Sequence, residues 1–152
     1  MSIENHLQEL GISLPPVPKA LASYIPAKRS GNLIFTSGQL PFKDGDVMQK
    51  GKVGNYINIE EAGRAARIAC LNALAAVVSV TGNLESIVQI VKLGVYVASE
   101  PDFTDQHKVA NYASELLMDI FGEKGKHSRF AVGVNTLPLG SSVELELIVE
   151  VK

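Results

Sequence analysis

A single cysteine, Cys70, is the only thiol in this 152-residue sequence. One cysteine cannot form an intramolecular disulfide, and no metal-binding spacing surrounds it. A disulfide framework and a cysteine-based metal site are therefore excluded. Because Cys70 lies in an alanine-rich pattern typical of a helix, we expect a buried thiol that packs like a small apolar side chain.

Positive charge is also scarce. The 14 Lys and Arg residues are outnumbered by 16 Asp and Glu residues, which gives a net charge of -2. No stretch is basic enough for a nucleic-acid-binding surface, so we expect no nucleic acid partner. The N terminus lacks the basic start and apolar run of a signal peptide, and we find no window apolar enough to cross a bilayer. We therefore expect a cytoplasmic protein without a membrane partner.

With 46% hydrophobic and 20% charged residues, the chain has the composition of one globular domain, which we expect to span residues 1–152. Ser2 can cap a short helix that ends near Gly11, and the proline-rich segment 14–18 is predicted to be an extended connector. We expect this N-terminal extension to span about residues 1–18.

Strand patterns follow the extension. Residues 21–41 predict two short strands around a turn at Gly31. The polar, glycine-rich residues 42–57 are predicted to form a surface loop. A later run, 87–97, is apolar on both faces, which is typical of a central strand that is covered on both sides.

Two long helix patterns have recognisable ends. Asn58 and Glu61 have the spacing of a capping box, and the helix that they begin is predicted to end at Gly82. A second helix is predicted to begin at Pro101 and to end at Gly122.

This order of elements predicts an α+β domain in which two long helices cover one face of a mixed sheet. The opposite face would expose the strand at 87–97. Solvent is a poor partner for an apolar surface of that size. A homo-oligomer that packs sheet against sheet is the simplest way to cover it, and its subunit crevices are natural ligand sites.

Arg129 is the first candidate for chemistry. Its same-face neighbours in the strand pattern 127–134, Ala131 and Gly133, leave room around the guanidinium. The forked N–H donors of arginine match a carboxylate or a phosphate. Composition alone favours a plainer interpretation, in which Arg129 forms a salt bridge with a glutamate of the last strand.

Glu144 is the second candidate. It belongs to the alternating pattern 143–151, in which Glu144, Glu146 and Glu150 share one face. If this strand pairs with the preceding one as a hairpin, Arg129 and the glutamates share a face. A carboxylate there could orient a water or shuttle protons once an anion occupies the arginine. The alternative is a solvent-exposed row of glutamates, which fits Glu146 and Glu150 better.

The segment 35–41 supplies hydroxyl and amide groups beside a glycine. No histidine is near Ser37 in the sequence, so a nucleophilic serine is not indicated, and turn chemistry is the alternative. The three histidines are too scattered for a metal site or a catalytic triad. His127, two residues before Arg129, is expected to share its strand face.

A resemblance to the RidA/YjgF/YER057c/UK114 family is carried by four segments: "SGNLIFTSGQLP", "EEAGRAARIACLNALAAV", "IVKLGVYV" and "SRFAVGVNTLPLGSSVELELIVEV". It covers about residues 24–151. The G-N-x-I/L-x-T-S-G-Q motif, taken together with the arginine and the C-terminal P-x-G-x-x-V-E-x-E pattern, makes the resemblance specific. The N-terminal helix and the segment 42–57 depart from compact members, so the sequence is most similar to a longer, less characterised branch.

The resemblance implies a chorismate-mutase-like (bacillus) α+β fold and a homotrimer, with the sheets in a central barrel and three clefts between subunits. It implies hydrolytic deamination of reactive enamines and imines, of the 2-aminoacrylate and 2-iminopropanoate type, to 2-keto acids and ammonia. Neither a cofactor nor a metal is implied. Two alternatives stay open: a non-catalytic or regulatory module that binds small carboxylates, and an endoribonuclease, which the pI of about 5.9 and the lack of a histidine pair disfavour.

The resemblance also implies roles for individual residues. Arg129 would bind the substrate carboxylate, and Glu144 would activate the attacking water. Further substrate-binding positions fall on Tyr24, Ser37, Asn111 and Ala131. Ala131 replaces a cysteine that the family often has, so we expect the contact there to come from the backbone.

Overall fold

The computed structural model describes residues 1–17 and 23–152. Helix α1 (Ile3–Glu9) begins where the Ser2 hydroxyl accepts a hydrogen bond from the backbone N–H of Asn5, which confirms the predicted cap. The last residue of the predicted connector and the first two of the predicted strand region, at 18 and 21–22, lie outside the described residues.

Helix α2 (Ile59–Thr81) has the predicted ends. The Asn58 side chain accepts a hydrogen bond of 2.8 Å from the backbone N–H of Glu61. Gly82 ends the helix with a φ of 81°, a left-handed conformation that glycine adopts without a steric penalty. Both termini were therefore predicted from local chemistry alone.

Helix α3 (Gln106–Phe121) begins later than predicted. Pro101 lies in a turn that is closed by a 3.0 Å hydrogen bond from the N–H of Phe103 to the carbonyl of Glu100. Proline suits the second position of such a turn as well as the first turn of a helix, which explains the error. The predicted end is confirmed, because Gly122 follows the last helical residue with a φ of 59°. His6 of α1 contacts the carbonyl of Asp119 at 2.7 Å, which fastens α1 to α3.

The described residues also form seven strands: β1 (Ala27–Ser30), β2 (Leu33–Thr36), β3 (Phe42–Lys43), β4 (Asp46–Val47), β5 (Ile87–Ala98), β6 (Ser128–Val134) and β7 (Val143–Val151). β1 and β2 flank Gly31 as predicted. The segment 42–57 is not simply a surface loop. It contains the small β3–β4 hairpin, and its two valines, Val47 and Val53, are buried.

The main sheet has the order β1-β2-β7-β5-β6, with β5 and β6 parallel and the other neighbours antiparallel. This confirms a mixed sheet. The predicted hairpin of the last two strands is wrong, because β5 lies between β6 and β7. Alternation with period two shows which side chains share a face but does not identify the neighbouring strand.

Both long helices pack on one side of the sheet, α2 mainly against β7 and α3 against β5 and β6. The alanines of α2 are fully or almost fully buried there and permit a close approach. Cys70 is buried among them as predicted, and burial raises the pKa of its thiol to about 12.

By length and mean hydropathy (1.4), α2 could cross a membrane, which corrects the prediction that no window of the sequence could do so. However, 61% of the relevant window is buried inside the fold, as expected for a core helix. On the other side of the sheet, Phe35 and Val132 are 41% and 42% exposed, so this chain leaves that apolar face without a cover of its own among the described residues. The prediction that β5 is covered on both sides is therefore wrong for a single chain.

Candidate functional site

Arg129 is held against α3. It pairs in register with Leu93, whose side chain is fully buried beneath the helices, so the arginine projects to the helical side of the sheet. Its Nη1 donates to Asn111 Oδ1 at 2.9 Å and to Ser114 Oγ at 3.1 Å. Its Nη2 donates to the carbonyl of His107 at 3.4 Å. Three neutral oxygens of one helix therefore fix the guanidinium.

No carboxylate among the described residues lies within 4.0 Å of this guanidinium. The salt bridge that composition favoured is therefore wrong for Arg129 within the chain. A guanidinium has five N–H donors, and α3 accepts from three of them. The Nε–H and one Nη2–H have no acceptor within residues 1–17 and 23–152, and two such donors are enough for both oxygens of a carboxylate.

The residues around Arg129 follow from helical and strand spacing. His107, Asn111 and Ser114 stand at positions i, i+4 and i+7 of α3 and so share the helix face that meets β6. Sequence reasoning proposed Asn111 but missed Ser114, although this spacing could have revealed it. Ala131, two residues after Arg129, lies on the same strand face and is partly buried against the core. We call Asn111, Ser114, Arg129 and Ala131 the arginine half-site.

Glu144 lies on the opposite face of the sheet. It pairs with Tyr96 of β5, whereas Arg129 pairs with Leu93, and residues an odd number apart on a strand point to opposite faces. The predicted common face of Arg129 and Glu144 is therefore wrong within one chain. Strand β5 lies between the strands that carry Arg129 and Glu144, and the two side chains project from opposite faces of the sheet.

The Glu144 carboxylate rests against the T-S-G-Q segment. The backbones of Gln39 and Leu145 exchange hydrogen bonds of 2.7 and 3.1 Å, which places Gly38 beside Glu144. A Cβ at residue 38 would collide with Glu144 Oε1, so only glycine leaves the carboxylate its place. Burial, and then the nearby charge of Glu146, raise the pKa of Glu144.

Ser37 and Tyr24 lie at the same end of the sheet. The Ser37 hydroxyl donates to the carbonyl of Ile25 at 2.6 Å, and its backbone N–H donates to the carbonyl of Pro26 at 2.8 Å. Ser37 thus joins the segment that carries Tyr24, whose side chain is 49% exposed. The Ser37 hydroxyl oxygen can still accept a hydrogen bond. We call Tyr24, Ser37, Gly38 and Glu144 the glutamate half-site.

Sequence reasoning also missed an aromatic pair on the face of the sheet that carries Glu144. The rings of Tyr96 and Phe130 are 5.2 Å apart in an edge-to-face arrangement, and the Tyr96 hydroxyl lies 3.4 Å from Glu146 Oε1. Burial, and then the charge of Glu146, raise the pKa of Tyr96, so its phenol is protonated at neutral pH. Within residues 1–17 and 23–152, no group of His, Cys, Asp and Glu side chains is arranged to hold a metal ion.

Comparison with known proteins gives a consistent result. The family model described as "YjgF/chorismate mutase-like, putative endoribonuclease" matches residues 4–151. Protein TCP17 of Trypanosoma cruzi is 40% identical over 146 residues, which cover 95% of this chain and 91% of that protein.

Two solved structures are similar over almost the whole chain. A protein with unknown function from Agrobacterium tumefaciens, Atu1372, shows 43% identity and a TM-score of 0.91, covering 99% of this chain and 92% of that one. A "putative endoribonuclease" from Shewanella oneidensis MR-1 shows 34% identity and a TM-score of 0.95, covering 99% of this chain and 100% of that one. At this coverage, the N-terminal helix and the segment 42–57 are matched together with the rest of the chain.

Proposed function

Because this chain belongs to the YjgF/chorismate mutase-like family, we propose that it hydrolyses reactive enamines and imines of 2-amino acids to 2-keto acids and ammonia. One observation carries the proposal. Arg129 is partly buried and fixed by three neutral oxygens, and it retains two N–H donors, with no carboxylate beside it in the part of the chain that the structure describes. A cation so held, without an internal counter-ion, suits the carboxylate of a small substrate.

The proposed active unit is a homotrimer. The arginine half-site of one subunit would meet the glutamate half-site of the next, in a cleft between them. Two features support this arrangement. Among the residues that the structure describes, β6 is an edge strand whose outer side can face another subunit, and the apolar sheet face needs a cover. Since the sheet separates Arg129 from Glu144 within a chain, their joint action requires a second copy.

In the proposed reaction, Arg129 holds the substrate carboxylate and thereby places the imine carbon near Glu144. The raised pKa of Glu144 makes its ionised form a stronger base than an ordinary glutamate. Glu144 takes a proton from water as the oxygen attacks the imine carbon. It passes this proton to the nitrogen, which gives a carbinolamine. Glu144 then transfers the hydroxyl proton of the carbinolamine to the amine, the C–N bond breaks as the C=O bond forms, and ammonia and the 2-keto acid leave.

The demands on the protein are modest. Imine hydrolysis is intrinsically easy, so orientation and proton transfer by one carboxylate supply the acceleration without a cofactor. Ser37 and Tyr24 would contact the substrate from the side of Glu144, and Asn111 would keep Arg129 in place. At Ala131 we propose a contact through the backbone, because the side chain is a single methyl group.

The proposal is tested with 2-iminopropanoate released from serine by a dehydratase, with semicarbazide trapping the surviving imine. The protein should lower the trapped fraction. Arg129→Ala should reduce kcat/KM about 100-fold, which is typical of removing one partner from a desolvated charge pair. Arg64→Ala removes an exposed arginine that pairs with Glu60 on α2 and serves as the matched control.

Two results would contradict the proposal. One is that Arg129→Ala retains the activity of the unchanged protein. The other is that the protein does not accelerate imine decay at all, while pyruvate still binds and Arg129→Ala abolishes that binding. The second result would establish a carboxylate-binding module instead of an enzyme.

A further inference from the structure

Arg129 is the first member of a hydrogen-bond chain that continues through Ser114 and His127 to the carbonyl of Gly125. Ser114 Oγ, which accepts from Arg129 Nη1, also lies 2.8 Å from His127 Nε2. His127 Nδ1 in turn lies 2.6 Å from the carbonyl oxygen of Gly125. Ser114 lies on α3, His127 lies immediately before β6, and Arg129 lies on β6.

For a neutral His127 ring, the direction of every hydrogen bond in this hydrogen-bond chain follows from the donors and acceptors present. A carbonyl oxygen only accepts, so His127 Nδ1 carries the proton. In the neutral imidazole Nε2 is then an acceptor, and the Ser114 hydroxyl must donate to it. The lone pairs of Ser114 Oγ are thereby left for Arg129 Nη1. Donation runs from Arg129 to Ser114, from Ser114 to His127, and from His127 to Gly125.

This direction matters because a helical serine has another option. Serine hydroxyls in helices commonly donate to a carbonyl of the preceding turn. Ser79 of α2 does so, with its Oγ 2.6 Å from the carbonyl of Ala76. Because the Ser114 hydroxyl donates to His127 Nε2, its hydrogen points away from both the α3 carbonyls and Arg129, and an oxygen lone pair faces the guanidinium.

Gly125, at the last step of this hydrogen-bond chain, is held in place by packing. Gly125 ends a short 3-10 turn, Gly122–Gly125, that follows α3 directly. It is buried, and a Cβ at this position would collide with the carbonyl oxygen of Leu117. The carbonyl that holds His127 is therefore fixed to the same helix that carries Asn111 and Ser114.

From these contacts we propose that Ser114 and His127 are positioning residues for Arg129. The pair fixes the Nη1 side of the guanidinium against α3, and so keeps the Nε–H and the remaining Nη2–H directed to the substrate carboxylate. The inference rests on the proposed function, since it concerns the binding of that carboxylate. Neither residue touches the reacting atoms.

Variants of both residues test the proposal. Ser114→Ala removes the link, and His127→Asn keeps a donor for the Gly125 carbonyl but loses the acceptor for Ser114. Each should raise KM for 2-iminopropanoate about five- to tenfold, the size of effect expected from losing one ordinary hydrogen bond, with kcat changed less than about twofold. His127→Gln places an amide oxygen near the position of Nε2 and should restore KM to within about twofold of the original value. Ser79→Ala is the matched control and should leave both constants unchanged.

The second measurement does not depend on catalysis. Nitrogen-15 NMR of the unmodified protein should show the neutral His127 ring protonated at Nδ1, and pyruvate affinity should fall in Ser114→Ala by the same factor as KM rises. A proton on Nε2 would overturn the proposal. So would unchanged KM and pyruvate affinity in both Ser114→Ala and His127→Asn. If the protein hydrolyses no imine, the proposed function fails, whereas the tautomer and the pyruvate affinities still decide the role of Ser114 and His127.

Discussion

Replacement of Gly38 by alanine tests the environment of Glu144 most sharply. Gly38 has no positive φ, so alanine meets no backbone strain at this position. The new methyl group would overlap Glu144 Oε1 and lie 3.0 Å from its Cδ and 3.3 Å from its Cγ. Carbon atoms pack about 3.5–4.0 Å apart, so the carboxylate must move by about 1 Å.

Gly38→Ala should lower the hydrolysis rate and leave the free energy of unfolding almost unchanged. A displacement of about 1 Å in a reacting group can lower the rate by about 100-fold. The flexible end of a glutamate can yield, so the free energy of unfolding should change by less than about 1 kcal/mol. Imine hydrolysis and the thermal unfolding midpoint, measured on the same preparation, separate the two effects.

The double variant Gly38→Ala/Glu144→Gln makes the comparison specific. If Gly38→Ala acts only through the carboxylate, it should cause no further loss of activity once Glu144 is glutamine. Full activity in Gly38→Ala alone would refute the reasoning. So would a large fall in the unfolding midpoint, because the effect would then arise from the backbone.

Further predictions concern charge, burial and helix ends. The hydrolysis rate should fall as pH drops through the raised pKa of Glu144, and this fall should occur at a higher pH than for an ordinary glutamate. Glu144→Gln should abolish this pH dependence. The control Glu150→Gln, which changes a glutamate on the same face of β7, should keep it. A carboxyl whose pKa is raised on folding stabilises the fold at low pH and loses that contribution as pH rises through the raised pKa. Glu144→Gln should therefore raise the thermal unfolding midpoint more at pH 8 than at pH 4. An equal change at both pH values would contradict this. Cys70, with a pKa of about 12, should resist alkylation at pH 8 until denaturant is added, as mass spectrometry would show; rapid labelling of the native protein would contradict its burial. Asn58→Ala should lower the free energy of unfolding by about 1 kcal/mol in denaturant titrations, because it removes the cap of α2, and no change would show that the cap is dispensable.

Local chemistry in the sequence predicted the ends of α1 and α2 and the end of α3, but not the start of α3. The caps at Ser2 and Asn58 and the stop at Gly82 involve residues within three or four positions of one another, so a short segment determines them. The spacing from His107 to Ser114, which places the α3 contacts of Arg129 on one helix face, is equally local, although Ser114 itself was not predicted. These features did not require the rest of the fold.

The relation between Arg129 and Glu144 could not be predicted in this way. It depends on β5 lying between β6 and β7, which are consecutive in the sequence but not neighbours in the sheet. Strand periodicity carries no information about such a crossing. Among the described residues Arg129 has no salt bridge for the same reason, because the sheet separates it from the glutamates of β7.

Mixing two inactive variants tests the central claim, that one active site is built from two subunits. Arg129→Ala and Glu144→Gln subunits would be coexpressed with different tags, and the mixed oligomers would be purified through both. A random mixture of the two in closed rings forms about one intact cleft in four, from an intact arginine half-site and an intact glutamate half-site. We therefore expect about a quarter of the original activity in the random mixture, and somewhat more in oligomers that carry both tags. Activity no higher than that of either variant alone would contradict the account.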